Sequence, residues 1–340
     1  MLNKNLFVLD LTLFDTASNV TSSNTPGNDL SPEMKTYYSD YLIDNALTNL
    51  VHDQFGQKHP IPKNGGKTIE FRKYSPLPKM TTTLEEGVTP DGQALNVSII
   101  TATVEQYGGW IQLPDMLLLS AIDNNMVQAT ELLGDQAGRT LDTITREVLN
   151  GGTNVQYAPI VTGDTVTPVT ARSSITADAK FTVDCVYKAV RFLKTQLAKP
   201  IEGSYVAIIH PDVAYDLMRS DEWIEAHKYA RPENLFNGEI GKIANCRFIE
   251  TTEAKIFGSA GADGIDVYST LVVGANAYGI TEISGGGLEH IIKQLGSSGT
   301  ADPLNQRASA GWKATKTAER LVEGYMVRIE SASSFQSGPN

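Results

Sequence analysis

The chain has 340 residues, 41% hydrophobic and 20% charged, an ordinary balance for a globular protein with room for two domains and a substantial core. Its formal net charge is −11, which argues against a protein that grips nucleic acid, since phosphates must be met by a basic footprint. It does not argue against enclosing nucleic acid without adhering to it.

Near the N-terminus, the apolar run Leu6 to Phe14 is broken by Asp10 and has no small-residue cleavage site close behind it, so no secretory leader is expected. No stretch is long enough to span a bilayer, so a cytoplasmic site of synthesis is expected. Thr16 to Asp29 is rich in Ser, Thr, Asn and Gly and reads as an arm. Ser31-Pro32-Glu33 has the form of a helix start, and Tyr37, Tyr41, Leu42, Ala46 and Leu50 then give a short amphipathic helix.

From Gln57 to Lys79 the character changes. Lys58, Lys63, Lys67, Arg72, Lys73 and Lys79 stand against the single acid Glu70. Asn64-Gly65-Gly66 signals a turn, and Thr68 to Tyr74 alternates as a strand does. A second alternating, β-branched run covers Val97 to Gln106. Between them, Ser75 to Leu95 carries Pro76, Pro78, Pro90, Gly87 and Gly92. So long a span without structure of its own is unusual in a compact domain. It fits a long two-stranded arm whose surface is completed by another copy of the chain, since a lone ribbon is marginal in water.

The most regular stretch runs from Asp123 to Asn150. Met126, Leu133, Ala137, Leu141, Ile144 and Val148 recur at helical spacing, and the pattern predicts a helix of roughly 42 Å. Asn125, Gln128, Glu131, Asp135, Gln136, Asp142 and Arg146 read as its wet face. Asp123 is the expected cap, and Gly151-Gly152 are the expected left-handed stop. Gly151 to Lys180 reads as a hairpin or loop. Val183 to Leu197 is amphipathic, and Ser204 to His210 is a continuous apolar run of the kind buried on both faces of a sheet. Pro211-Asp212 opens a helix expected to reach about Tyr229. Strands are expected at Arg247–Glu250, Asp266–Val273, Ala277–Ile283 and Leu288–Gln294, giving an α/β unit over about 181–295. A closing strand within Leu321–Ser331 is expected to lie along the long helix.

Chemical motifs are sparse. Gly65-Gly66-Lys67-Thr68 resembles the tail of a phosphate loop, but Ile61 stands where the Walker pattern needs glycine, and a strand follows instead of a helix. The histidines His52, His59, His210, His227 and His290 form no ligand-spaced set. His210 with Asp212 and Asp216 could be drawn as a base at a sheet rim, but a strand-end histidine before a helix is the simpler reading. Asp212, Asp216, Asp221, Glu222 and Glu225 read as a solvated helix face, a counterpart to the basic 58–79 segment that could register one subunit on the next. Cys185 and Cys246 read as buried thiols, with a disulfide as the alternative. No catalytic, cofactor-binding or metal-binding residue is assigned.

Several long blocks then carry a resemblance: LVHDQFGQKHPIPKNGGKTIEFRKYSPLP (Leu50 to Pro78), EEGVTPDG (Glu85 to Gly92), ATELLGDQAGRTLDTITREVLN (Ala129 to Asn150), YVAIIHPDVAYDLM (Tyr205 to Met218), GEIGKIANCRFIET (Gly238 to Thr251) and DPLNQRASAGWKA (Asp302 to Ala314). In this order the chain resembles the major capsid proteins of tailed phages, and specifically the N-four-type podophage family. The resemblance implies an α+β chain with the HK97-like capsid fold. Its implied parts are an arm (1–30), an N-terminal helix and lead-in (31–66), an extended hairpin loop (67–106), a peripheral domain (107–200) with spine helix 123–150, an axial domain (201–295) and a return to the peripheral domain (296–340). It implies a virion protein that self-assembles into the pentamers and hexamers of an icosahedral shell around double-stranded DNA. Portal, scaffolding and decoration proteins are implied partners, and no cofactor, enzyme activity, membrane or lysine–asparagine crosslink is expected. A nanocompartment shell of the encapsulin type is the alternative within the same fold.

Overall fold

The computed structural model describes residues 42–43, 46, 50–60, 67–74, 77–84, 86–87, 89, 91–120, 125–163, 165–227, 241–282, 287–297 and 302–340. The arm, the expected Asp123 cap, the Asn64-Gly65-Gly66 turn and the helix end near Tyr229 lie outside these residues.

Helix α2 (Asn125–Asn150) is the longest element, about 39 Å at 1.5 Å per residue. On it lies a three-stranded antiparallel sheet with β15 (Arg307–Lys316) between β14 (Leu288–Lys293) and β4 (Glu105–Pro114). Strands β15 and β4 pair along their full length, from Arg307↔Pro114 to Lys316↔Glu105. The inward residues of β15 are Ala308, Ala310, Trp312 and Ala314, all buried. Three alanines keep the sheet low, so Leu133, Ala137 and Leu141 of the helix pack directly against it with Leu42, Ala46 and Leu50. Strand β15, not the final strand, therefore lies across the long helix, and β14 belongs here and not to the α/β sheet.

The α/β sheet has the order β5 (Val155–Tyr157), β17 (Met326–Ser331), β12 (Val267–Val273), β8 (Tyr205–Ile209), β10 (Cys246–Glu250), β9 (Lys242–Ile243), with β11 (Ile256–Phe257) pairing β12. Strand β8 (Tyr205–Ile209) is buried at every position, as its unbroken apolar run predicts. It pairs in parallel with β10 (Cys246–Glu250) and antiparallel with β12 (Val267–Val273). The closing strand β17 (Met326–Ser331) sits between β12 and β5 (Val155–Tyr157). Two helices cover this sheet, α3 (Val183–Thr195) and α4 (Pro211–Met218), while α5 (Asp221–His227) follows α4 after a break at Arg219-Ser220, where one continuous helix was expected. Strand β13 (Tyr278–Thr281) leaves this sheet to pair with β1 (Gln57–His59) and β16 (Ala318–Arg320).

Two expectations for α2 are overturned. Asp142 and Arg146 are buried, not wet. Arg146 donates to the backbone oxygens of Glu253 (2.8 Å) and Asn340 (3.2 Å), fastening the helix to the α/β sheet and the C-terminal tail. The helix also ends without a left-handed glycine, since neither Gly151 nor Gly152 has a positive φ. Arginines close it instead. Arg320 Nη1 donates to the Val148 oxygen at 2.6 Å, and Arg328 Nη1 donates to the Asn150 oxygen. These cations satisfy free carbonyls and oppose the negative end of the helix dipole. Glycine at 151 leaves room for this cation, because a Cβ there would stand 2.6 Å from Arg320 Nη1 and would displace the arginine.

Candidate assembly surface

The ribbon β2 (Thr68–Tyr74) and β3 (Val97–Thr103) is antiparallel, from Thr68↔Thr103 to Tyr74↔Val97. Its two ends differ physically. At the base, Ile69, Phe71 and Ala102 are buried against Leu321 and Val322 of the same chain. Phe71 meets His59 edge-on, with ring centroids 4.8 Å apart, and packs over Gly279, where any Cβ would collide with its ring. The expectation that the whole ribbon lacks a surface of its own is therefore corrected for its base. Toward the tip the apolar side chains are uncovered among the described residues. Leu77, Met80, Leu95, Val97 and Ile99 are exposed, and Leu84 is 75% exposed.

Two further apolar surfaces are open. Helix α1 (Asp115–Ser120) carries Met116, Leu117 and Leu119 outward, and its first amide donates to the Gln306 oxygen (3.0 Å), which brings exposed Leu304 to the same end. The outward face of β4 carries Trp110, 68% exposed. A groove of about 530 Å³ also runs along α2, lined by Tyr107, Leu132, Gln136, Arg139, Ile144 and Glu253.

The ribbon's lead-in is fixed to the spine through a buried polar network. The His52 backbone amide donates to Asp142 Oδ1 (2.7 Å), and its Nδ1 lies 2.6 Å from Asp142 Oδ2. Asp53 accepts from Thr145 Oγ1 (2.6 Å) and is ion-paired with Lys316 of β15. Tyr278 donates its hydroxyl to the His52 oxygen, and burial drives that phenol well above its ordinary value. Every partner is far away in sequence, so no local pattern announces this set.

The sequence-nominated chemical candidates have structural work. His210 caps α4, its Nδ1 accepting from the Asp212 amide at 3.2 Å. Burial lowers its pKa, which suits an accepting ring. Asp212 and Asp216 are not simply solvated. Asp216 accepts from Ser333 and Ser334, and Asp212 accepts from Ser337 and Tyr268, which holds the tail on α4. Both thiols are free and buried, and burial pushes Cys246 up to about 12. Among the described residues no group of three His, Cys, Asp or Glu side chains could hold a metal. No helix among them is long and apolar enough to cross a membrane.

The histidines also set an acid limit. Burial lowers His290 from 6.5 to about 4 and lowers His210. In the unfolded chain both take up protons near 6.5, so the stability from keeping them neutral is complete above that pH and is lost as pH falls toward 4. Melting curves from pH 7 to 4 are expected to show a falling Tm, with a shallower fall in His290→Gln. A Tm independent of pH across this window would contradict the assignment.

A family model described as phage capsid protein matches residues 98–283, over half the chain. A search of curated proteins finds no match. Among solved structures, the capsid of Ralstonia phage GP4 is 15% identical with a TM-score of 0.62, covering 81% of this chain and 86% of that one. The capsid of cyanophage P-SCSP1u is 13% identical with a TM-score of 0.62, covering 93% and 94%. The head structure of Helicobacter pylori bacteriophage KHP40 is 12% identical with a TM-score of 0.60, covering 98% and 100%. At such identities the likeness establishes the shared fold, an α+β, HK97-like one. With the family match over most of the central chain, the protein belongs to the phage capsid protein family and is a structural shell protein of the virion.

Proposed function

We propose that this chain is the major tile of an icosahedral head, assembling through pentamers and hexamers around double-stranded DNA, with no catalytic step of its own. The observation that carries this reading is the divided ribbon, anchored at Phe71 and uncovered at Leu84. A rigid base aims the tip outward, and a neighbour supplies what the tip lacks. In the same reading residues 67–106 are the extended loop, α2 with the β4–β15–β14 sheet is the peripheral unit, and 201–283 is the main part of the axial unit. Portal, scaffolding and decoration proteins are the expected partners of such a tile. Each contact between tiles is weak, and closure of the shell multiplies them. The net charge of −11 suits a wall that confines DNA without holding it.

Sedimentation and electron micrographs of the expressed protein test this. Closed shells of megadalton mass are the expected result, and a stable monomer at high concentration would overturn it. DNA packaged with the shell supports a phage head, whereas a shell filled by a cargo enzyme supports the nanocompartment alternative.

A further inference from the structure

Residues 333–340 run from α4 across the β11–β12 edge to α2, and hydrogen bonds hold them along the way. At the first end, Asp216 of α4 accepts from Ser333 Oγ (2.9 Å), the Ser334 amide (2.8 Å) and Ser334 Oγ (2.6 Å). In the middle, Asp212 accepts from Ser337 Oγ (2.5 Å), the Tyr268 hydroxyl accepts from the Ser337 amide (3.1 Å), and Asp266 accepts from the Gly338 amide (3.0 Å). At the far end, the Asn340 side chain makes three bonds to one loop. Its Nδ2 donates to the Thr252 (3.0 Å) and Ala254 (2.7 Å) oxygens, and its Oδ1 accepts from the Ile256 amide (3.0 Å). Apolar burial adds little, since Phe335 meets Tyr215 edge-on at 5.2 Å and is still 45% exposed.

The loop that Asn340 holds is also the one that braces α2. Glu253 pairs with Arg139 (2.7 Å), its backbone oxygen accepts from Arg146 (2.8 Å), and Lys255 pairs with Glu147 (2.7 Å). Arg146 donates to the Asn340 oxygen as well (3.2 Å), so loop and tail share one buried cation. The Arg139 and Lys255 pairs lie near the surface, where such pairs are individually weak. The last turn of α2 is seated differently, with Leu149 buried among Val206, Ile208 and Leu271. The helix is thus fixed at Leu149 by packing, and braced further back by polar contacts that can break and re-form. That is the physical make-up of a pivot with an adjustable stay.

We propose that residues 333–340 are a releasable strap that sets the angle between α2 and the α/β sheet. Seated on Asp216 and Asp212, the strap keeps Asn340 in the 251–256 loop and the loop tight against α2. Unseated, it withdraws the three Asn340 bonds, the loop slackens and α2 turns about Leu149. The strap comes away without opening a core, since among the described residues none of 333–340 belongs to a buried apolar cluster. The use of such a device rests on the shell-tile reading, in which one sequence must meet its neighbours at both pentamer and hexamer angles. The competing reading is a passive cover for the sheet edge, in which a break at one end of the strap has no effect at the other.

Amide hydrogen exchange on the free, full-length subunit decides between them. Asn340→Ala and Asp216→Ala cut the strap at opposite ends. Each is expected to speed exchange about tenfold at 251–256 and at 143–147 of α2, while β8 keeps the exchange of the parent. The Asp216 variant is the decisive one, because Asp216 contacts the strap and neither of those segments. Faster exchange confined to 333–337 and α4 in that variant overturns the inference. Should Asp216→Ala fail to fold, Ser334→Ala/Ser337→Ala loosens the same end from the strap side and is read in the same way. In micrographs, shells of Asn340→Ala are expected to vary in diameter where those of the parent are uniform, and uniform shells from the variant also overturn it. If the parent chain forms no shells, the fault lies with the proposed function, and the exchange measurement still decides the strap.

Discussion

Replacing residues 77–95 with a short turn is expected to abolish closed shells while leaving a folded subunit. The two halves of that expectation have separate causes. Folding survives because the ribbon's contribution to the chain's own core comes from its base, where Ile69, Phe71 and Ala102 pack on Leu321. Assembly fails because the apolar side chains removed, Leu77, Met80, Leu84 and Leu95, are exposed in their own subunit. Burying even two such leucines on a neighbour is worth about 3–6 kcal/mol per contact. Loss of that amount at every junction of a closed shell leaves free subunits at ordinary concentrations. Sedimentation gives the assembly state, and far-ultraviolet circular dichroism with a melting curve reports the fold. Shells from the shortened chain would contradict the ribbon's role, and an unfolded subunit would contradict its modular attachment.

The second large effect concerns stability alone. Asp53→Ala leaves Lys316 as an unpaired cation that is 1% exposed beneath the sheet. Breaking one side of a buried pair costs about 3–5 kcal/mol, because the remaining charge keeps its desolvation penalty. The Tm is expected to fall by roughly 4–7 °C, since unfolding entropy scales with chain length. Asp53→Ala/Lys316→Met removes both charges and is expected to recover most of the loss, which separates an orphaned charge from simple loss of packing. A single variant that melts like the parent would show that the pair is solvated.

Much of this architecture is legible in the sequence, and the exceptions share a physical cause. Thr68–Tyr74 announces itself by its alternation, and the buried β8 by a short, β-branched apolar run ended by Pro211. The spine helix is visible because Leu133, Ala137 and Leu141 repeat at its pitch. Strands β4 and β15 are not legible. Gly108, Gly109 and Gly311 with Ala308, Ala310 and Ala314 have poor strand propensity, and these residues are strands because a helix must sit close above them and a tryptophan beside them. Asp142 and Arg146 read as wet because polar residues on a helix usually are. Their partners, His52, Glu253 and Asn340, are remote in sequence, and no local window contains them. The same holds for Asp212 and Asp216, whose partners lie in the C-terminal tail.

The account turns on an asymmetry within one ribbon, and amide hydrogen exchange measures it directly. In dissociated subunits, residues 77–95 are expected to exchange rapidly while 68–73 exchange slowly, and in assembled shells both segments are expected to be slow. Equal protection of the tip in the free subunit and the shell would contradict it, since the tip would then already be covered by its own chain.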